Sequence, residues 1–103
     1  MSTRKRDAET VLESMIGGPL TLGGALSAIR QTEGYTLAQL AERLEVSRSH
    51  LCDIERSRRS VSLERAARFA KALKHNPTLF VQLALQDQIR QAGLKMKVRV
   101  EAA

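Results

Sequence analysis

Apolar residues recur at intervals of three and four along most of this chain, the spacing that places side chains on one face of an α-helix. Residues typical of helix starts and helix ends divide this pattern into segments. The candidate N-caps are Thr21, Ser47, Ser62 and Asn76. The segments predict an all-α fold of five helices, over residues 22–33, 37–44, 48–56, 63–74 and 77–92.

The end of the chain changes to a period of two. Between positions 94 and 101, charged residues alternate with Leu94, Met96, Val98 and Val100, which predicts a half-buried β-strand. No other segment is patterned as a strand, and a lone strand leaves its backbone N–H and C=O groups unpaired. We therefore expect this strand to pair with its copy in a second subunit or with a strand of a protein partner. A frayed tail with chance alternation is the alternative.

The segment before the first of these helices has a different composition. Residues 1–6 are polar and basic, and we expect them to be disordered until something binds them. Residues 7–16 predict a short helix, which Gly17, Gly18 and Pro19 end.

Residues 37–56 carry the most informative pattern, two short amphipathic helices around a tight turn. The apolar residues of the pair share one side and are Leu37, Leu40, Ala41, Leu44, Leu51 and Ile54, with Val46 at the corner. The opposite side of the second helix carries Arg48, Ser49, Cys52, Asp53 and Arg56. A helix that reads DNA needs this division, because one face must be fixed to a core while the other reaches base edges.

This arrangement resembles the helix-turn-helix regulators of the phage Cro and C1 repressor type, the XRE family, over residues 22–74. The residues that match are Ala41, Val46, Ser47, Leu51 and Ile54, together with Gly34 at the end of the preceding helix. Arg30 and Glu55 stand where this family has a structural ion pair between the first helix and the recognition helix.

Two positions depart from the family pattern. Glu45 stands where the turn usually has glycine, so it must tolerate a left-handed backbone. Leu37 stands where a glutamine often binds a phosphate, a contact for which Thr36 or Gln39 can substitute.

The resemblance implies a lambda-repressor-like bundle in three parts. Residues 1–20 form a flexible extension with a short helix, residues 21–75 the helix-turn-helix core, and residues 76–103 a C-terminal helix and strand that dimerise. The residues expected at the dimer interface are Phe80, Val81, Leu85, Leu94, Met96, Val98 and Val100.

By the same resemblance, base contacts are expected from Arg48, Ser49, Asp53 and Cys52. Arg48 suits the O6 and N7 atoms of guanine, and Asp53 either accepts from a cytosine amino group or orients Arg48 or Arg56 through an ion pair. The expected phosphate contacts are Thr36, Gln39, Arg43, Arg56, Arg58 and Arg59.

Composition narrows the class of protein further. Seventeen basic and eleven acidic residues give a net charge of +6, which favours a polyanionic partner. The two histidines have no ligands at metal-binding spacing, so we expect neither a metal, a cofactor nor an enzyme. The sequence contains no run of about 18 apolar residues, so we expect no membrane span. Its single cysteine, Cys52, suits a cytoplasmic location.

The expected function is therefore a dimeric transcriptional repressor that binds an inverted-repeat operator in double-stranded DNA and regulates its own gene. The layout is also similar to HigA-like antitoxins, small proteins of this family that repress their own operon and bind a protein toxin. In this chain the toxin-binding element is expected to be either the short segment before Gly17 or the terminal strand. A phage or prophage repressor is the competing interpretation. A protein-binding scaffold without specific DNA affinity is the alternative of another class.

Overall fold

A computed structural model describes residues 20–103, which form five α-helices and contain no β-strand. The helices are α1 (Leu22–Glu33), α2 (Leu37–Leu44), α3 (Arg48–Glu55), α4 (Leu63–Ala72) and α5 (Pro77–Gln91). The five predicted helices are confirmed, with ends that differ by no more than two residues. The helix predicted over residues 7–16 lies outside the described residues.

Side chains at the N-caps explain where the helices begin. The Thr21 and Ser62 hydroxyls accept hydrogen bonds from the backbone N–H groups of Gly24 (2.9 Å) and Arg65 (3.2 Å). The Asn76 side chain accepts from the N–H of Thr78, and Pro77 occupies the first turn, where its missing N–H costs nothing. Each of these polar residues satisfies a donor that the helix itself leaves unpaired.

The core is built mainly from leucines, alanines and two phenylalanines, and all five helices contribute to it. Its buried members are Leu20, Leu22, Leu26, Leu40, Ala41, Leu44, Leu51, Ile54, Val61, Ala66, Phe69, Ala70, Leu73, Phe80, Leu83 and Ala84. Because Phe80 is only 1% exposed, its predicted place at a dimer interface needs correction: its side chain belongs to the core of its own subunit.

Asp87 on α5 ties the end of the bundle to its beginning. One oxygen of its carboxylate accepts a hydrogen bond from the Leu22 N–H at 3.2 Å, and the other accepts from Arg90 Nη1 at 3.1 Å. A carboxylate at a helix N-terminus also interacts favourably with the helix dipole. The last helix thereby supplies a cap for the first.

The predicted C-terminal strand, residues 94–101, is wrong. These residues have no regular secondary structure after Gly93, and the backbone groups of Met96, Val98 and Val100 bond to side chains of α5. The amide of Gln86 donates to the Met96 carbonyl and accepts from the Val98 N–H, and Gln82 accepts from the Val100 N–H. Glutamine side chains thus meet the hydrogen-bonding demand that the sequence pattern assigned to a second strand. No helix within residues 20–103 is long and apolar enough to cross a membrane.

Candidate nucleic-acid interface

The turn between α2 and α3 fixes where α3 points. Glu45 ends α2 in a left-handed conformation (φ 60°, ψ 41°), which confirms the strained backbone predicted for this position. Ser47 then caps α3, and its hydroxyl accepts from the His50 N–H at 3.0 Å. Val46 packs against the core between the two helices. The turn therefore needs only two residues between the left-handed Glu45 and the first residue of α3.

The side chains of α3 divide between the core and the surface. Leu51 and Ile54 are 0% and 2% exposed and hold the helix to the bundle. Arg48 and Ser49 are exposed in its first turn, and Cys52 and Asp53 are half-exposed in its second. The four residues expected to contact bases therefore have side chains with access to solvent, and the most accessible pair lies at the N-terminal end of the helix.

An ion pair holds the other end of α3 to α1. Arg30 donates from Nε to one Glu55 oxygen at 2.9 Å and from Nη2 to the other at 3.0 Å. The Glu55 side chain is only 9% exposed. The hydrogen bond to Glu55 raises the pKa of Arg30, an effect that burial partly opposes, so Arg30 keeps its positive charge. Two parallel bonds fix the relative orientation of the helices as well as their distance.

Gly23 allows α1 to approach the end of α3 at this same place. A Cβ atom at this position would overlap the Ile54 carbonyl oxygen and lie 3.0 Å from that of Glu55. Only glycine fits such an approach without a shift of backbone. Sequence patterns do not reveal this contact, because a glycine inside a helical segment does not tell which neighbour lies against it.

Basic side chains follow directly after α3. Arg56, Arg58 and Arg59 are all exposed, and the Arg58 N–H donates to the Asp53 carbonyl at 2.8 Å. Ser57 has a positive φ of 58°, which turns the chain sharply away from the helix axis. The structure thus puts three positive charges beside the exposed face of α3.

The structure adds Arg65, which the sequence patterns did not assign to this surface. Arg65 lies in the first turn of α4 and places Nη1 3.5 Å from Nε2 of His50 on α3. Burial lowers the pKa of His50, and the positive charges of Arg59 and Arg65 lower it further. Arg65 also lines an open polar depression with Ser60, Ser62, Glu64 and Arg68. Only the packing of α4 beside α3 reveals this extension, since Arg65 stands outside the motif.

The predicted phosphate contacts of α2 already have partners within the chain. Thr36 and Gln39 cap each other's backbone N–H groups, with distances of 2.8 and 3.1 Å. Arg43 donates from Nε to the Ala72 carbonyl at 3.2 Å, and its guanidinium lies 5.8 Å from the centre of the Tyr35 ring. These residues stabilise α2 and its contact with α4, whereas the arginines after α3 have no such bonds from their side chains within the described residues.

A two-helix motif with a clamped recognition helix and a basic flank defines the class of helix-turn-helix regulators. The chain belongs to the helix-turn-helix domain family, which matches residues 21–81, and it is a regulator of the XRE or Cro type. It is similar to the immunity repressor protein of Bacillus phage phi105, with 44% identity over 54 residues. That match covers 52% of this chain and 38% of the phage protein.

A solved structure shows the same fold. The crystal structure of the clp gene regulator ClgR from Corynebacterium glutamicum is 36% identical in sequence, with a TM-score of 0.53. The match covers 70% of this chain and 77% of that one. Both relatives are regulators by name, a class that acts by binding and not by catalysis.

Proposed function

We propose that this protein is a sequence-specific transcriptional repressor that acts as a homodimer and inserts α3 of each subunit into the major groove of double-stranded DNA. The observation that carries the proposal is the division of α3: Leu51 and Ile54 are buried while Arg48 and Ser49 at its N-terminal end are exposed. Recognition helices of this class contact bases with their N-terminal residues. Both relatives described above support the assignment.

Base reading falls to Arg48, Ser49, Cys52 and Asp53. Arg48 suits the two acceptors of a guanine, a pairing that discriminates against other bases by about 1–3 kcal/mol. Asp53 either accepts from a cytosine amino group or orients a neighbouring arginine.

Phosphate binding falls first to Arg56, Arg58 and Arg59, whose exposed charges flank α3. Arg65 joins them from α4, whereas Thr36, Gln39 and Arg43 contribute from α2 only as far as their bonds within the chain allow. Phosphate contacts position the protein without reading sequence.

The dimer gives the operator its form. Two α3 helices related by a two-fold axis enter successive major grooves about 34 Å apart, so the operator is an inverted repeat. Val81 and Leu85 on α5 are half-buried apolar residues outside the core and are the side chains that we place at the interface. A footprint that covers a single asymmetric half-site would contradict the dimer. The DNA upstream of the protein's own gene is the proposed operator, which places the action in the cytoplasm.

The test compares binding to that upstream DNA with binding to a scrambled duplex over a series of salt concentrations. We expect the upstream DNA to bind more tightly, and Arg48→Ala to remove most of the difference. Lys71→Ala is the matched control, because Lys71 is an exposed charge in the last turn of α4, far along that helix from Ser62. It removes the same charge and should leave discrimination unchanged.

Salt dependence separates the two kinds of contact. Removal of one phosphate-binding side chain should lower the slope of log affinity against log salt by about one. Arg59→Ala should therefore change the slope, and Arg48→Ala the sequence preference. Equal and weak binding to both duplexes by the unaltered protein would contradict the repressor and would leave the protein-binding scaffold as the better account.

A second function, neutralising a protein toxin, is favoured by one observation. The residues after α5 include Leu94 and Met96, two large apolar side chains that are 48% and 61% exposed. Such a segment is suited to a protein partner.

A further inference from the structure

The residues from 94 to 100 form what we call the C-terminal arm. It leaves α5 through Gly93, which has a φ of 77°, and Gln86 and Gln82 hold it against the helix. Gln86 Nε2 donates to the Met96 carbonyl at 2.7 Å, and its Oε1 accepts from the Val98 N–H at 2.9 Å. Gln82 Oε1 accepts from the Val100 N–H at 3.0 Å. The amide of Gln86 thus bonds to Met96 and Val98, the two residues on either side of Lys97.

The other edge of the arm has no such partner. In an extended chain, successive residues point their N–H and C=O groups to opposite edges. Because Met96, Val98 and Val100 bond to α5, we infer that the backbone groups of Lys95, Lys97 and Arg99 face away from it. No hydrogen bond to the N–H of Lys97 or Arg99 is formed by any other residue from 20 to 103, and all three basic side chains are exposed. An unpaired backbone edge of this kind is a template for a strand of another chain.

The charges on the arm indicate which kind of strand can pair with its outer edge. Two arms that paired antiparallel about Lys97 would bring Lys97 opposite Lys97 and Lys95 opposite Arg99 on one face. Like charges directly opposite are destabilising in strand pairs, whereas opposite charges stabilise them. A second copy of this arm paired in that register is therefore a poor partner, and a strand with acidic side chains is a good one.

We propose that the outer edge of the C-terminal arm binds the edge strand of another protein's β-sheet, one that carries aspartate or glutamate opposite Lys95, Lys97 and Arg99. The exposed side chains of Leu94 and Met96, on the other face of the arm, add apolar contact area. This inference gives the toxin-neutralising function a defined binding element. It does not depend on DNA binding, since the arm shares no residue with α3 or its basic flank.

The test uses amide NMR spectra of the full chain, titrated with three capped heptapeptides. In the first, glutamate alternates with valine; in the second, proline replaces the central valine; in the third, lysine replaces every glutamate. We expect the first peptide to shift the amide signals of Lys97 and Arg99 and to slow their hydrogen exchange, with half-saturation below about 1 mM. The second peptide has the same charge but cannot complete the pairing, because proline lacks the N–H.

Two variants locate the contact. Lys97→Pro removes an N–H without a partner in the described structure, and it keeps Met96 in the extended region that a residue before proline prefers. Lys97→Ala removes the charge and keeps the N–H. We expect Lys97→Pro to weaken the first peptide by roughly tenfold or more and Lys97→Ala to weaken it less. Slow hydrogen exchange of the Val98 and Val100 amides, retained in both variants, would show that these amides still bond to Gln86 and Gln82 and that the arm still lies on α5.

Three outcomes would overturn the proposal. Equal binding of the first and second peptides would mean that only the basic surface attracts them, and shifts centred on Arg58 and Arg59 would place that attraction beside α3. Protection of Lys97 and Arg99 that grows with protein concentration alone would make a second copy the partner. Because DNA binding is measured separately, each of these results leaves the repressor function standing.

Discussion

Glu55 is the residue on which the position of α3 depends most directly. Its carboxylate is largely buried and accepts both hydrogen bonds of the Arg30 guanidinium. When one member of such a pair is removed, the other keeps its charge in a place with little water to solvate it. An ion pair within the chain thereby fixes the position of the residues proposed to contact DNA.

We expect Glu55→Gln to lower the free energy of unfolding by about 3 kcal/mol, the lower end of the range for buried pairs, because Arg30 is partly exposed. Urea unfolding at neutral pH measures the change. Glu42→Gln serves as the control, since Glu42 is an exposed glutamate on α2 and its substitution should change stability by less than about 0.5 kcal/mol. Equal stability of the two variants would count against the structural role of the pair.

At the scale of helices, the contact between α1 and α3 is closer than side chains normally allow. Gly23 brings the backbone of α1 against the carbonyl groups of Ile54 and Glu55. Replacing glycine by alanine inside a helix normally stabilises it by about 1 kcal/mol. Here the overlap of the new Cβ atom with a backbone oxygen reverses the sign.

Gly23→Ala should lower stability by about 3 kcal/mol and shift the amide signals of Ile54 and Glu55. The comparison is Gly34→Ala, where no atom lies within 4 Å but φ is 75°, so the cost of about 1 kcal/mol comes from backbone strain alone. Gly34→Ala should leave the signals of α3 in place. A melting temperature for Gly23→Ala above that of the unaltered protein would show that the helices can separate without loss.

The sequence predicted the helices well because the ends of each helix depend on the residues at those positions and on the hydrogen bonds that they form with the nearby backbone. Thr21, Ser47, Ser62 and Asn76 each cap the helix that they were expected to start, and Glu45 adopts the left-handed backbone that its position required. Local patterns say less about partners. Alternation after Gly93 indicated backbone groups in need of hydrogen bonds, but not that Gln82 and Gln86 would supply them.

The candidate site shows the same limit. The exposed ridge of Arg48, Ser49, Cys52 and Asp53 follows from helical spacing, and the structure brings Arg30 and Glu55 together where the family resemblance put them. Arg65 was missed because it lies 15 positions from its neighbour His50. Contacts of that kind depend on how α4 crosses α3, which no short stretch of sequence encodes.

At the scale of the whole molecule, Asp87 closes the bundle by capping α1 from α5. Burial raises the pKa of Asp87 above its ordinary value of 3.8 and outweighs the Leu22 N–H and Arg90, both of which lower it. The folded protein therefore holds this proton at pH values where the unfolded chain has lost it. The stability that Asp87 contributes should fall as pH rises from about 3.8 through the higher pKa of the folded state.

Asp87→Asn tests this dependence, because asparagine can still accept from the Leu22 N–H but does not titrate. We expect the unfolding free energy of the unaltered protein, relative to the variant, to decrease over that pH range and then to stay constant. Urea unfolding of both proteins at about eight pH values between 3.5 and 7 gives the difference in their unfolding free energies. The other carboxylates are present in both proteins, so their contributions cancel in this difference. A difference that increases with pH would mean that the ionised carboxylate stabilises the fold.

The clamped α3 has a consequence for the thermodynamics of recognition. The helix is held by its Ser47 cap, its buried apolar face and its Glu55 anchor, all of them contacts within the chain, so we expect that no segment of α3 needs to fold on binding DNA. Proteins that fold on binding show a large negative heat-capacity change and an entropic penalty for ordering. For this protein we expect the heat-capacity change of DNA binding to be no larger than the apolar surface buried in the major groove accounts for. The entropic cost of ordering should come only from arginine side chains and from the DNA itself.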